Sequence, residues 1–168
     1  MTNRRDFLKT TAMATAASFV FPAIAGNSGK KTIGLQLYTV RDKIKLDLKS
    51  TLEKVAGIGY NSVEAAGYNI ADGTFYGMAP KAFATLLKEL GIPLHSSHTV
   101  FEPDVAEKVI ADAASTGAKY IIYPFLPEQF RTNLDGWKST AAKFNKLGEI
   151  AKRNGIQFGY HNHAFEFE

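Results

Sequence analysis

The sequence predicts an α/β fold of repeated strand–helix units, which we interpret as about five of the eight βα units of a (β/α)8 TIM barrel. From Lys31 onward, short apolar runs alternate with helical patterns. A glycine marks each joint between a helix and the next strand, and these glycines are Gly59, Gly91, Gly117 and Gly155. Glycine takes the left-handed conformation past a helix end at little steric cost, so each one predicts a helix end followed by a strand.

Five strands are expected, and they begin near Ile33, Ser62, Ile92, Tyr120 and Gln157. An open doubly wound sheet is the alternative, but a helix would then be expected to cover its last strand. A complete barrel needs ~250 residues, so we expect residues 31–168 to be the N-terminal part of a longer one. An unclosed sheet exposes edge strands, so this fragment alone is expected to be inactive and to aggregate or stay partly folded.

Four helices are expected from apolar residues at helical spacing, over residues 47–58, 80–90, 104–115 and 137–154. Pro80 stands at the expected start of the second, where a missing amide hydrogen costs little. The apolar stripes of these helices are interpreted as core.

Residues 1–25 are predicted to be a twin-arginine signal peptide, followed by a linker over 26–30. Arg4 and Arg5 precede an apolar, alanine-rich run, and the segment ends on the small residues Ala23 and Ala25 of a cleavage site. The run is too short for a stable membrane span, which needs ~20 residues. We therefore expect export to the periplasm by the twin-arginine machinery.

The composition excludes several classes of function. The chain has no cysteine, which excludes disulfides, thiolate metal ligands and cysteine nucleophiles. The formal net charge is only +4, and it falls when the signal is removed. So small and dispersed a charge argues against a nucleic-acid partner. Neither glycine-rich phosphate signature is present.

Polar residues lie at the expected C-terminal ends of the strands, where parallel α/β folds bind their ligands. All four histidines of the chain are predicted to lie at such ends. Glu64 could bind a sugar hydroxyl there, or could pair with a lysine. The residues predicted to line a substrate pocket are Tyr38, Glu64, His95, Tyr123 and His163, although each could instead be an ordinary buried polar residue.

The last stretch of the chain, 159–168, carries two histidines and a carboxylate. If it is a strand, His161 and His163 share one face and Glu166 can converge on the same point. Imidazole suits Zn, Fe or Ni, whereas a carboxylate suits Mg or Mn, so the set does not name its metal. The alternative is that these histidines simply close a buried strand.

Three segments resemble the sugar phosphate isomerase/epimerase family of xylose-isomerase-like TIM barrels. They are residues 33–42 at the first strand, 60–64 at the second and 159–167 at the fifth, of which the HNHxxEF element is the most specific. The resemblance covers residues 31–168, and the signal is similar to that of exported members.

The resemblance implies a carbohydrate substrate and a divalent metal, Mn, Mg, Zn or Co, held at the C-terminal mouth of the barrel. It implies that Glu166 is a metal ligand and catalytic carboxylate, that His161 is catalytic, and that His163 is a metal ligand or substrate contact. Further ligands are expected beyond residue 168, on strands six to eight.

The implied reaction is proton transfer next to a carbonyl through an enediolate, which gives an isomerase or epimerase. The alternatives are a dehydratase or lyase acting on a keto-sugar or inosose, and a non-catalytic periplasmic carbohydrate-binding protein. A DNA-repair endonuclease is disfavoured by the export signal. The sequence predicts no oligomeric state.

Overall fold

The computed structural model describes residues 31–167. The predicted signal peptide, the linker and Glu168 lie outside the described residues.

The main sheet has five parallel strands, and two short antiparallel strands form a separate hairpin. In chain order the strands are β1 (Gly34–Gln36), β2 (Ser62–Ala65), β3 (Tyr68–Asn69), β4 (Thr74–Phe75), β5 (Leu94–His98), β6 (Tyr120–Tyr123) and β7 (Gln157–Tyr160). The main sheet runs β1-β2-β5-β6-β7, so every new strand is added beside the one before it. A doubly wound sheet reverses direction once, whereas a barrel does not. The partial-barrel prediction is confirmed.

Five α-helices accompany these strands, and the four predicted helices are among them. They are α1 (Arg41–Ile44), α2 (Leu48–Ile58), α3 (Pro80–Glu89), α4 (Ala106–Ser115) and α5 (Leu134–Arg153). α2 begins after Asp47, whose side chain accepts from the Ser50 amide at 3.0 Å, and ends at Gly59 with φ 110°.

α5 starts at Leu134 rather than at Trp137. The Asn133 side chain caps it by accepting a hydrogen bond from the Gly136 amide at 2.9 Å. The apolar pattern alone does not predict this first turn, which is largely polar.

The core lies between the outer face of the sheet and the helices. Its fully buried members come from every layer of that packing and include Leu37, Leu52, Phe75, Phe83, Leu87, Ile110, Ile121 and Leu147. The helical members of this set, Leu52, Phe83, Leu87, Ile110 and Leu147, belong to the predicted apolar stripes, so the interpretation of those stripes as core is confirmed. The sheet's other face, which lines the interior of the partial barrel, carries the polar side chains Gln36, Glu64 and Ser96.

The hairpin β3–β4 and the short helix α1 are not anticipated by the sequence analysis. The hairpin is held by polar contacts: Tyr68 donates its hydroxyl hydrogen to Asp112 Oδ2 of α4 at 2.6 Å, and Asp72 accepts from the amide and hydroxyl of Thr74 in the turn. Two-residue strands carry too little periodicity to be seen in a sequence.

Phe83→Ala is expected to lower the free energy of unfolding by about 3–5 kcal/mol, because it leaves a cavity in the core. Phe83 is fully buried and its ring stacks on Phe75 at a centroid distance of 5.5 Å. Denaturant unfolding of the two proteins measures the loss. Leu46→Ala is the control, since Leu46 is 81% exposed; equal losses for the two variants would contradict this core.

Candidate active site at the C-terminal ends of the strands

A cavity of about 570 Å³ opens at the C-terminal ends of the strands. Its lining includes the polar side chains Gln36, Tyr38, His98, His161 and His163, together with Tyr68 and Phe125. Three of the four histidines of the chain therefore meet at one place. The cavity has room for a small polar molecule.

Glu64 is held at the end of β2 by three neighbouring side chains. Its Oε1 accepts from Gln36 Nε2 at 2.6 Å and lies 2.8 Å from His98 Nδ1. Its Oε2 accepts from the Ser96 hydroxyl at 2.5 Å. Both carboxylate oxygens are thus engaged by groups on the adjacent strands β1 and β5.

These contacts set the ionisation of Glu64. Burial acts to raise the pKa of this carboxyl, but the hydrogen bonds from His98, Ser96 and Gln36 outweigh it and lower the pKa from 4.5 to about 2. Glu64 is therefore a carboxylate throughout the physiological range, and it can only accept hydrogen bonds.

Glu64→Gln is expected to cost stability at neutral pH and to cost progressively less as the pH falls from about 4.5 toward about 2. A lowered folded-state pKa gives stability that is present above the unfolded value and is lost on descent through the folded value. Free energies of unfolding of both proteins across this range measure it. Glu89→Gln, at an exposed position of α3, is the control; a pH-independent difference for Glu64→Gln would contradict the expectation.

The histidine side chains form a continuous row from Glu64 outward. His98 Nε2 lies 3.3 Å from His161 Nδ1. The His161 and His163 rings stack with their centroids 4.8 Å apart and an interplanar angle of 20°. The His163 ring stacks in turn on Phe165. Phe125 meets the His163 ring edge-on at 5.5 Å.

Glu166 does not extend a strand. β7 ends at Tyr160, and residues Ala164–Glu166 form a single 3-10 turn. The Glu166 carboxylate folds back, so that Oε2 accepts from the His163 amide at 2.6 Å and Oε1 accepts from the Tyr160 hydroxyl. The sequence analysis let Glu166 converge with the two histidines only if this stretch is a strand, and that condition is not met after Tyr160, because the capping box at His163 turns the chain.

Glu166 is held in its ionised form. Desolvation acts to raise its pKa, but the hydrogen bonds from the Tyr160 hydroxyl and the His163 amide outweigh it and hold the pKa below its usual range. The pKa of Tyr160 is correspondingly raised, by burial and by this carboxylate. Glu166 is therefore an ionised hydrogen-bond acceptor at neutral pH.

A divalent metal can be tested against these donors. Within residues 31–167 no group of three or more histidine, aspartate or glutamate side chains is placed to hold a metal ion. Both Glu166 oxygens face protein donors. The described residues do not fit a complete metal shell by themselves, and the assignment of Glu166 and His163 as ligands stays a prediction.

Two predicted pocket residues lie elsewhere. Tyr123 is fully buried on the helix side of the sheet, where its ring packs on Phe144 and its hydroxyl donates to Glu102 at 3.3 Å. It is the last residue of β6, but strand alternation turns it away from the barrel interior. The prediction that Tyr123 lines the pocket is wrong.

His95 is also not at the mouth. It is the second residue of β5, and a register shift opposite Val63 and Glu64 bulges the strand at this point. Its ring centroid lies 5.3 Å from that of Tyr120. The side chain lines a second cavity on the interior face, further from the mouth. The prediction that all four histidines lie at strand ends is therefore wrong for His95.

Three residues of the site were not chosen as candidates from the sequence: Gln36, Ser96 and His98. Gln36 and Ser96 bind the Glu64 carboxylate, and His98 joins it to His161. His98 closes β5, at a strand end as predicted for the histidines, but the sequence analysis gave it no role in the site.

The first 20 residues match the family model of the twin-arginine translocation pathway signal sequence. The signal indicates export across the membrane, to the periplasm or beyond. Among residues 31–167, none of the helices is long and apolar enough to cross a membrane. A comparison of the sequence with curated proteins found no match.

Comparison with solved structures defines the fold as a xylose-isomerase-like TIM barrel. A protein of that description from Mycobacterium smegmatis, solved in complex with magnesium, matches with a TM-score of 0.52 and 16% identity over 78% of this chain and 55% of that one.

Two solved structures from Parabacteroides distasonis, each described as a sugar phosphate isomerase/epimerase, are more similar. One has a TM-score of 0.72 and 28% identity over 84% of this chain and 55% of its own. The other has a TM-score of 0.66 and 29% identity over 81% of this chain and 56% of its own. The chain therefore spans about 55% of the length of these two structures.

Proposed function

We propose that the complete protein, meaning the mature product of its whole gene, is a metal-dependent sugar isomerase/epimerase acting through an enediolate. The observation that carries the proposal is the polar mouth of the partial barrel, where His98, His161 and His163 line one cavity beside the carboxylate of Glu64. The similarity to the two sugar phosphate isomerase/epimerase structures supports the same class of reaction.

Glu166 is proposed as the base that moves the carbon-bound proton. Hydrogen bonds lower its pKa, so the group is an ionised acceptor at neutral pH. Its position is fixed by Tyr160 and by the backbone at His163. A base held in place in this way loses little freedom when it meets a substrate.

His163 and Glu166 are the proposed contribution of this chain to a divalent-metal site. A bound divalent metal supplies polarisation of the substrate carbonyl and hydroxyl oxygens. The metal, Mn, Mg, Zn or Co, is part of the proposal.

Substrate contacts are proposed for Tyr38 and His163, which line the cavity together with the rings of Tyr68 and Phe125. Tyr38 is 55% exposed and Phe125 is 41% exposed. Hydroxyl and imidazole groups can hydrogen-bond sugar hydroxyls, while the aromatic faces pack against the carbon-bound hydrogens of a sugar. A carbohydrate fits such a lining.

The test is turnover of a panel of ketoses, aldoses and their oxidised forms by the complete protein, with product configuration read by NMR. We expect at least one sugar to be converted to its isomer or epimer. Elimination of water from a keto-sugar would assign the protein to the dehydratases instead. Sugar binding without turnover by any panel member would contradict the enzyme proposal.

A further inference from the structure

We infer that Arg131 is a positioning residue that acts, through the ring of Phe165, on the turn that follows β7. That turn carries Glu166 and has His163 at its start, so the inference rests on the function proposed for these two residues. Arg131 itself is not among the residues that line the cavity. Its effect on the reaction therefore passes through the turn and not through contact with the sugar.

Arg131 is attached to a well-ordered part of the backbone. Its amide donates to the Glu128 carbonyl at 2.9 Å and closes the 3-10 turn Glu128–Phe130. Two residues further on, Asn133 caps the 20-residue helix α5. The side chain of Arg131 thus extends from a short connection between two regular elements.

The guanidinium group is held by two contacts. Its Nε donates to the carbonyl oxygen of Leu126, a fully buried residue, at 3.3 Å. Its Cζ lies 3.6 Å from the centroid of the Phe165 ring. No carboxylate in residues 31–167 forms a salt bridge with Arg131. A backbone carbonyl and an aromatic face therefore orient the guanidinium, and arginine is well suited to stacking on such a face.

The Phe165 ring connects Arg131 to the site. It stacks on the His163 ring with a centroid distance of 5.5 Å and an interplanar angle of 8°, and the Phe125 ring meets it edge-on at 5.8 Å. The His163 ring stacks in turn on His161. Four planar groups, one guanidinium and three rings, thus form a continuous stack that ends at the cavity.

This stack matters because the turn is not fixed by the core. None of the residues Ala164–Glu166 is buried. The Glu166 carboxylate is bound by the Tyr160 hydroxyl and the His163 amide, and the preceding side chain, Phe165, is bound by Arg131. Loss of the guanidinium would leave the turn free to move, and a displacement of ~1 Å can lower a reaction rate by roughly 10²-fold.

The first test is NMR of the complete protein with Mg²⁺ added, which requires no substrate. We expect nuclear Overhauser effects between the Arg131 Hδ protons and the Phe165 ring, because the guanidinium lies over that ring. In Arg131→Ala the His163 ring protons are expected to change chemical shift, since Phe165 is no longer held against them. Absence of the Overhauser effects, or unchanged His163 shifts in a folded Arg131→Ala variant, would overturn the inference.

Arg153→Ala is the matched control, because it removes the same charge from an arginine that is 59% exposed and pairs with Glu107. It is expected to leave both the His163 shifts and turnover unchanged. Equal changes in Arg131→Ala and Arg153→Ala would indicate an effect of net charge alone and would overturn the inference.

Kinetics test whether Arg131 acts through Phe165. Arg131→Ala is expected to lower kcat by roughly 10- to 10²-fold while KM changes by less than about threefold. Phe165→Leu removes the ring but keeps an apolar side chain, and it is expected to lower kcat similarly. In the Phe165→Leu background, Arg131→Ala is expected to have no further effect.

Two kinetic outcomes would overturn the inference. One is a double variant whose loss of kcat is the product of the two single losses, and the other is a change in KM that exceeds the change in kcat. If the wild-type protein turns over no sugar, the proposed function fails, whereas the NMR spectra still decide whether Arg131 orders the turn.

Discussion

Glu166→Gln is expected to lower turnover by the complete protein by roughly 10²- to 10⁴-fold, the range for loss of an acid–base group. The substitution removes the negative charge but keeps the shape of the side chain. A glutamine oxygen can accept from the His163 amide as Glu166 Oε2 does, and its NH2 group can donate to the Tyr160 hydroxyl oxygen. The 3-10 turn should therefore persist, and the loss should be chemical rather than structural. Steady-state kinetics on the substrate found in the panel measures it.

Glu128→Gln is the matched control, because it makes the same change of charge in another 3-10 turn, Glu128–Phe130, at an exposed residue that does not line the cavity. Its turnover should equal that of the wild type. Unfolding curves of both variants should overlay the wild-type curve. A fully active Glu166→Gln protein would contradict the proposal that Glu166 is the catalytic base.

Removal of divalent metal is expected to abolish turnover, with recovery on adding back Mn, Mg, Zn or Co. The reason is that proton abstraction next to a carbonyl leaves a charge on oxygen, and the proposed metal would stabilise that charge. Dialysis against a chelator followed by metal titration measures the effect. Metal analysis of the untreated protein identifies the ion.

The control for chelation is sugar binding measured by calorimetry on the same metal-free sample. Turnover that is insensitive to the chelator would contradict the metal-dependent proposal. Sugar binding that persists without metal, combined with no turnover in its presence, would favour a carbohydrate-binding protein.

The order of the strands and the positions of the helices follow from local signals. Each helix-ending glycine has a positive φ, as at Gly91 and Gly117, and the next strand begins within a few residues. Asp47 and Pro80 mark helix starts for reasons that act within one turn. Such signals involve neighbours in the sequence, so the sequence alone suffices to read them.

The site is less predictable because its contacts join distant parts of the chain. The sequence places Glu64 and His161 at strand ends, but the residues that connect them are separated by 63 positions, as His98 and His161 show. Register decides which of two adjacent residues faces the interior. The bulge in β5 places His95 on the interior face of the sheet, further from the mouth than His98. The turn at Glu166 depends on a capping box that lies beyond the end of β7. Neither feature has a periodicity that could be read beforehand.

Solvent exchange at the substrate carbon tests the central claim most directly. The complete protein is incubated with each panel sugar in D2O with divalent metal, and 1H NMR follows the hydrogen on the carbon next to the carbonyl. An enediolate formed by proton transfer predicts deuterium at that carbon for at least one sugar, with the rate strongly reduced in Glu166→Gln. Conversion of a sugar to its isomer or epimer with no deuterium uptake would contradict exchange through Glu166. Absence of both conversion and exchange across the panel would contradict the enzyme itself.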